Sequence, residues 1–231
     1  SKHLYMNAGF RFDQHEEFGG QLSLKFSPAF FITPTTKLMG SVSNGFKSPS
    51  LYQLYAPATL WGPIGNEALD PETAITFDIG FQQSFFDYRF TIEMSAFFNR
   101  YRNLIDYDYV QGYSNIKRTR SRGVEASVSY RPDTRFRVNG SYTYTDAVDE
   151  ESDLPLLRRP KHRFSLGASW QTLSNLFLSV DLSYVGKRED IYPYPERTIC
   201  DAYTLVSAGC EWKVIKSLKL FFRMENIGNV Q

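Results

Sequence analysis

No stretch of this sequence approaches the roughly 18 consecutive apolar residues that a transmembrane helix needs, although 42% of its residues are hydrophobic. Charge of one sign is lacking too: 26 Lys and Arg against 25 Asp and Glu leave a net +1, which gives no basis for nucleic-acid or polyanion binding. Histidine is scarce, and His3, His15 and His162 have no Cys or His neighbour at metal-ligand spacing, so no metal site is expected. The two cysteines, Cys200 and Cys210, fall in one predicted strand, about 33 Å apart if extended. That is too far to bridge, and no disulfide is predicted. Nucleophile elbow, phosphate loop and zinc signature are all missing, so the reading is a non-enzyme with no catalytic residue and no cofactor. The enzymatic alternative is a barrel hydrolase of about twelve strands, whose Ser/His/Asp-type site spacing alone does not reveal. Nor does the amino end carry a signal-peptide pattern. It starts directly in a strand, Leu4, Met6, Ala8, Phe10, Phe12, and is expected to be a piece of something longer.

What the chain does have is a two-residue polarity beat. Ile75, Phe77, Ile79 and Phe81 alternate with Thr76, Asp78, Gly80 and Gln82, and the pattern resumes at Phe90, Ile92, Met94, Ala96 and Phe98. Successive side chains of a strand point to opposite sides, so each segment has one apolar and one polar face. About eleven such strands are legible: nine follow or precede these two in the same style, with apolar faces such as Leu22-Leu24-Phe26, Leu38-Val42, Val124-Ala126-Val128, Phe164-Leu166-Ala168-Trp170 and Leu218-Leu220-Phe222-Met224. Aromatic residues at 16%, including 19 Phe and 15 Tyr, match girdles at two membrane interfaces and equally a large β-sandwich core, so they do not decide between the two.

The connections alternate in length. Short ones are expected at Thr33 to Thr36, Gln83 to Asp87, Arg131 to Arg135, Gln171 to Asn175 and Val214 to Ser217. Long ones are expected at Lys47 to Pro71, Asn103 to Lys117, Asp146 to Leu157 and Lys187 to Asp201. Short turns at one edge and long loops at the other point to an all-β fold, an antiparallel transmembrane β-barrel of the outer-membrane type, rather than a soluble sandwich. Asp78, Glu93, Glu125, Arg137, Arg163, Asp181, Lys219, Arg223 and Glu225 all fall on the polar beat. In a wet bore these charges can pair along the wall, whereas isolated charges in a soluble core are expensive.

Several segments in this order resemble the carboxy-terminal half of TonB-dependent outer-membrane receptors. They are Phe46-Lys47-Ser48-Pro49 with Gln53-Leu54-Tyr55, then Gly65-Asn66-Glu67-Ala68-Leu69-Asp70-Pro71-Glu72, Asn103-Leu104-Ile105-Asp106-Tyr107, Arg122-Gly123-Val124-Glu125, Leu154 to Pro160, and Glu225-Asn226-Ile227-Gly228-Asn229. The resemblance spans nearly all of residues 1–231 and is strongest to the cobalamin (vitamin B12) receptors of that family. Haem receptors carry a His between the two halves of the first motif, and Ser50 to Gly65 contains none. Ferric-siderophore receptors share the framework and are the alternative, with a passive porin or adhesin barrel as the competing class.

What the resemblance implies is a 22-stranded barrel in the Gram-negative outer membrane, filled by a plug domain. Plug, coupling motif and first half of the barrel would lie outside this chain. It also implies active uptake of a bulky scarce nutrient, cobalamin or an iron chelate, driven by the TonB–ExbB–ExbD complex through the plug, with outer-membrane lipid and lipopolysaccharide around the wall.

Ligand recognition belongs in the long loops. Tyr52, Tyr55 and Trp61 in one, Tyr107, Tyr109 and Tyr113 in a second, and Tyr192 and Tyr194 in a fourth are the candidate substrate contacts. Aromatic side chains offer large contact area at low entropic cost, and equally anchor the rim at the interface. The acidic run Asp146, Asp149, Glu150, Glu151, Asp153 is expected to be a solvated loop, with Ca²⁺ as its other reading. Arg158, Arg159 and Lys161 are candidates for lipid phosphate contacts.

Overall fold

A computed structural model describes residues 3–60, 62–108, 110–193 and 195–228, apart from the side chains of residues 116 and 117. Nine strands follow one another: β1 (Leu4–His15), β2 (Gly19–Thr33), β3 (Thr36–Lys47), β4 (Glu72–Phe85), β5 (Phe90–Asp108), β6 (Gly112–Tyr130), β7 (Phe136–Asp149), β8 (His162–Leu173) and β9 (Leu176–Val185). A small hairpin, β10 (Arg188–Ile191) and β11 (Arg197–Cys200), interrupts before β12 (Tyr203–Ile215) and β13 (Leu218–Met224). Apart from that hairpin, each strand pairs antiparallel with its sequence neighbours in one 11-stranded sheet. All eleven strands expected from the beat are present.

Register tests the beat directly. Leu4, Phe30, Leu38, Phe81, Met94, Ala126, Tyr142, Phe164 and Tyr184 stand opposite one another across nine consecutive strands. A slip of one residue at any ladder would move a whole strand's apolar set to the wrong face. The apolar face is bare: Phe10 is 82% and Ile79 68% exposed, while among the described residues the buried apolar ones are Leu54, Leu69 and Ala147. These Phe, Ile and Leu side chains therefore do not lie between stacked sheets, as a sandwich core would require. Hydrocarbon is the environment that accommodates such a face.

The opposite face is polar and self-paired. Ser41 donates to Asp78 at 3.0 Å, Lys219 meets Glu211 at 2.7 Å, and Arg223 meets Glu225 at 2.9 Å. Between β7 and β13 this face is hollowed into a cleft of about 600 Å³ whose walls include Arg137, Asp181, Glu211 and Arg223.

At one end of the sheet the turns are short. Pro34-Thr35 joins β2 to β3, Asp133 Oδ1 accepts the amides of Arg135 and Phe136 at 2.7 and 2.8 Å in the β6–β7 turn, and Ser174-Asn175 joins β8 to β9. The Gln83 turn lies later than expected. β4 continues to Phe85, and the reversal is made by Phe86, Asp87 and Tyr88, three successive residues at φ of 53°, 53° and 64°.

At the other end, three expected loops carry secondary structure. The largest difference is Asn103 to Lys117, where β5 and β6 stay paired from Leu104↔Ile116 to Asp108↔Gly112. Cross-strand bonding continues there with no apolar face to bury, so the beat gives no sign of it. Residues 48–71 contain a short helix, α1 (Leu51–Tyr55), and residues 187–201 contain the β10–β11 hairpin. That hairpin places Cys200 in β11 and Cys210 in β12, in different sheets rather than one strand, and both thiols are free.

Candidate functional site

The β3–β4 connection is held to the β5–β6 hairpin by its own backbone and by three side chains. Helix α1 starts at a capping box, in which Ser50 Oγ accepts the Gln53 amide while the Gln53 side chain accepts the Ser50 amide, satisfying two orphan donors at once. Beyond the helix, the Gly65 amide donates to Ala56 O at 3.1 Å and the Asn66 amide to Gln53 O at 2.8 Å, closing the segment on itself. The Tyr113 amide of β6 then donates to Ile64 O at 2.9 Å. Asn66 Nδ2 donates to Tyr113 O at 3.0 Å. Leu54 and Leu69 are buried within this unit.

Asn115 performs a similar task lower down. Its Nδ2 donates to Asp70 O at 3.1 Å and to Asn103 O at 2.7 Å, and its Oδ1 accepts the Asp70 amide at 2.9 Å. Glu72 accepts the Ile105 amide at 3.1 Å and pairs with Lys47 at 3.0 Å. Two glycines permit the close approach. Gly112 sits at φ +76°, and a Cβ there would lie 2.7 Å from Ile64 O and 2.8 Å from Pro63 O. A Cβ on Gly65 would lie 2.6 Å from Ala56 N. No side chain fits either place without moving backbone.

This framework brings three of the expected contacts together. Tyr107 and Tyr113 are register partners at the hairpin tip, with ring centroids 5.1 Å apart at 64°. Tyr52 of α1 reaches Tyr113 at 6.2 Å and 81°. Edge-to-face packing of this kind fixes aromatic rings while leaving surface available, and Tyr52 remains 60% exposed. Tyr55 points elsewhere, donating to Glu17 Oε1 in the β1–β2 turn at 2.9 Å. That hydrogen bond, reinforced by the carboxylate's charge, raises the Tyr55 phenol above its ordinary value. Tyr192 is exposed beyond β10. Trp61, Tyr109 and Tyr194 lie outside the described residues.

Glu17, Asn66, Asn115 and Glu72 carry no sequence pattern that marks them as site residues. Two of them, Asn66 and Glu72, stand inside the Gly65-to-Glu72 motif. Asn115 has no local signal, because its partners lie 12 and 45 residues away.

Two carboxylates of the acidic run are committed to arginines, and a third to backbone amides. Asp146 pairs with Arg122 at 3.1 Å and Glu150 with Arg100 at 2.8 Å, while Asp149 Oδ1 accepts the Glu151 and Ser152 amides at 2.8 and 3.4 Å. Among the described residues no three His, Cys, Asp or Glu converge on a metal position. Arg158, a candidate for lipid phosphate, instead pairs with Asp190 at 2.9 Å. The Ile191 amide and Arg158 together hold the Asp190 carboxyl below its usual value. His162 lies on the apolar face, its Nδ1 2.8 Å from Tyr142 Oη.

Residues 1–227 match the family described as TonB dependent receptor-like, beta-barrel. The chain is 29% identical to the vitamin B12 transporter BtuB of Vibrio cholerae over 96% of its own length and 36% of that protein's. It is 27% identical to the iron-regulated outer membrane virulence protein of the same species, covering 87% of this chain and 34% of that one. It spans about a third of the length of these relatives. Among solved structures, the ferric enterobactin receptor PfeA of Pseudomonas aeruginosa superposes with a TM-score of 0.82 at 18% identity, covering 99% of this chain and 38% of that one. The siderophore receptor PirA of Acinetobacter baumannii superposes with a TM-score of 0.83 at 16% identity, covering 98% and 40%. These two likenesses establish the fold.

Proposed function

The chain belongs to the TonB-dependent receptors, as wall of their outer-membrane β-barrel, and from that premise we propose that it forms part of a transporter for cobalamin or a related bulky chelate. The observation that carries the reading is the pinned tyrosine cluster: Tyr52, Tyr107 and Tyr113 are held together on a loop unit bonded to the β5–β6 hairpin, the longest among the described residues. A rim fixed in advance loses little entropy on binding. Its rings suit a large, flat, partly apolar ligand better than a hydrated ion. The relationship to a vitamin B12 transporter over 96% of the chain supports cobalamin as that ligand.

In this account the wall performs no covalent step. The extracellular loops capture the ligand, a plug closes the bore, and the TonB–ExbB–ExbD complex draws on the plug to admit it. The polar face, with its cleft beside Arg137, Asp181, Glu211 and Arg223, is the surface such a plug would face. The unpaired sides of β1 and β13 would be met by the remaining strands of the wall, since lipid does not tolerate open sheet edges.

A ferric siderophore is the second reading, supported by the relationship to the iron-regulated virulence protein. The experiment is a titration of full-length protein in detergent with cyanocobalamin and, separately, with a ferric catecholate. Tight cyanocobalamin binding that falls about tenfold or more in Tyr113→Ala, as expected for loss of a buried aromatic contact, carries the proposal. Tight catecholate binding with no response to cyanocobalamin replaces the ligand.

A further inference from the structure

Along β5 and β6 the apolar face rises from Phe90 opposite Tyr130, two rings 6.2 Å apart at the short-turn end, through Ile92 and Met94 to Ala96 opposite Val124. Moving toward the long-loop end on the same face, the next row holds Phe98 opposite Arg122, the next Arg100 opposite Arg120, and the next Arg102 opposite Arg118. Same-face rows are about 7 Å apart. Five arginines therefore stand side by side on two adjacent strands just above the hydrocarbon-facing belt.

Like charges directly opposite one another destabilise a ladder, and here two such pairs are adjacent. Internal acids answer only part of the charge: Glu150 takes Arg100 and Asp146 takes Arg122. Arg102, Arg118 and Arg120 have no carboxylate partner among the described residues. Arg120 Nε is buried with no hydrogen-bond partner, beside a cleft of about 320 Å³ lined by Arg100, Arg118, Arg120, Val148, Glu150 and Asp153. Guanidinium groups grip phosphate with paired N–H donors; an anion in this cleft would meet Arg118 and Arg120, and Arg102 stands directly opposite Arg118 on β5.

We propose that Arg102, Arg118 and Arg120 bind the phosphate groups of a phosphorylated glycolipid of the outer leaflet, whose acyl chains lie along the apolar face below them. The apolar belt decides for a lipid over a soluble anion. Exposed Phe98, Ile75 and Val124 adjoin the arginines, so one molecule satisfies both surfaces. The site requires the wall to stand in the outer membrane and is independent of which nutrient the loops capture.

The test is native mass spectrometry of delipidated full-length protein in detergent, with three probes: bisphosphorylated lipid A, the same lipid A dephosphorylated, and inorganic phosphate. Wild type retains the bisphosphorylated lipid, and the triple variant Arg102→Gln/Arg118→Gln/Arg120→Gln retains about tenfold less, while Arg223→Gln on the polar face matches wild type. If the triple variant loses the heat-modifiable gel mobility of a folded barrel, the single variant Arg120→Gln is read instead, with a loss of about threefold expected. Equal retention by the folded variant and wild type overturns the proposal. So does equal retention of the dephosphorylated lipid. Inorganic phosphate bound as tightly as the lipid would reassign the arginines to a soluble anion and equally overturn it.

Discussion

Asn115 and Asp70 are bonded twice, side-chain carboxamide to backbone amide and carbonyl, at 2.9 and 3.1 Å. The pair joins the tip of the β5–β6 hairpin to the segment entering β4. Since Asn115 Nδ2 also serves Asn103 O at 2.7 Å, one side chain makes three hydrogen bonds, and Asn103 needs that support at its φ of 56°. Replacement by Asp removes both N–H donors and sets a carboxylate against two carbonyl oxygens. Asn115→Asp is expected to destabilise the rim by about 1–3 kcal/mol, the cost of leaving polar groups unpaired. Hydrogen exchange over residues 66–72 should accelerate while exchange in β8 and β9 stays unchanged.

Charge on the apolar face separates a lipid-facing wall from any other arrangement. Ile79 lies on that face opposite Gly40 and Ala96, and Glu93 lies on the polar face opposite Gln82 and Ser127. Ile79→Arg is expected to cost about 2–4 kcal/mol if it sits near the bilayer midplane, with folded yield in lipid vesicles falling accordingly. Glu93→Arg should fold as wild type. Equal losses would mean that the two faces see the same medium.

The ladder was legible because one physical rule acts at every strand: alternate residues meet hydrocarbon or water. Where that rule stops acting, the sequence stops reporting. β5 and β6 extend past Leu104 and Ile116 into water on both sides, so polar and aromatic residues alternate with no period and a loop is the natural reading. The turn at Phe86-Asp87-Tyr88 lacks the glycine or asparagine that ordinarily marks positive φ. Helix α1 did leave a trace, the Ser50–Gln53 capping-box spacing, too short a signal to stand out in a loop. The site divides the same way. Tyr52, Tyr107 and Tyr113 were found as residues, whereas their assembly depends on partners such as Asn115 whose role exists only after 45 residues of chain have folded back.

The β10–β11 hairpin gives a pH test outside the membrane-spanning ladder. Asp190 is held below its ordinary carboxylate range by the Ile191 amide first and Arg158 second. A depressed folded-state value means stability that is present above the unfolded value of 3.8 and is lost as pH falls through the lower, folded one. Protection of residues 186–202 against hydrogen exchange, corrected for intrinsic rate, should hold from pH 7 to about pH 4 and decline below it. Asp190→Asn should remove that decline and lower protection at neutral pH.

The most direct test of the account is spin-label accessibility along β4, in full-length protein reconstituted in lipid with Cys200 and Cys210 replaced. Labels at 75, 77, 79 and 81 are predicted to collide preferentially with oxygen dissolved in hydrocarbon. Those at 76, 78, 80 and 82 should collide with a water-soluble nickel chelate, giving a two-residue alternation through the strand. Uniform accessibility, or the same alternation with the two sets exchanged, would contradict the wall described here.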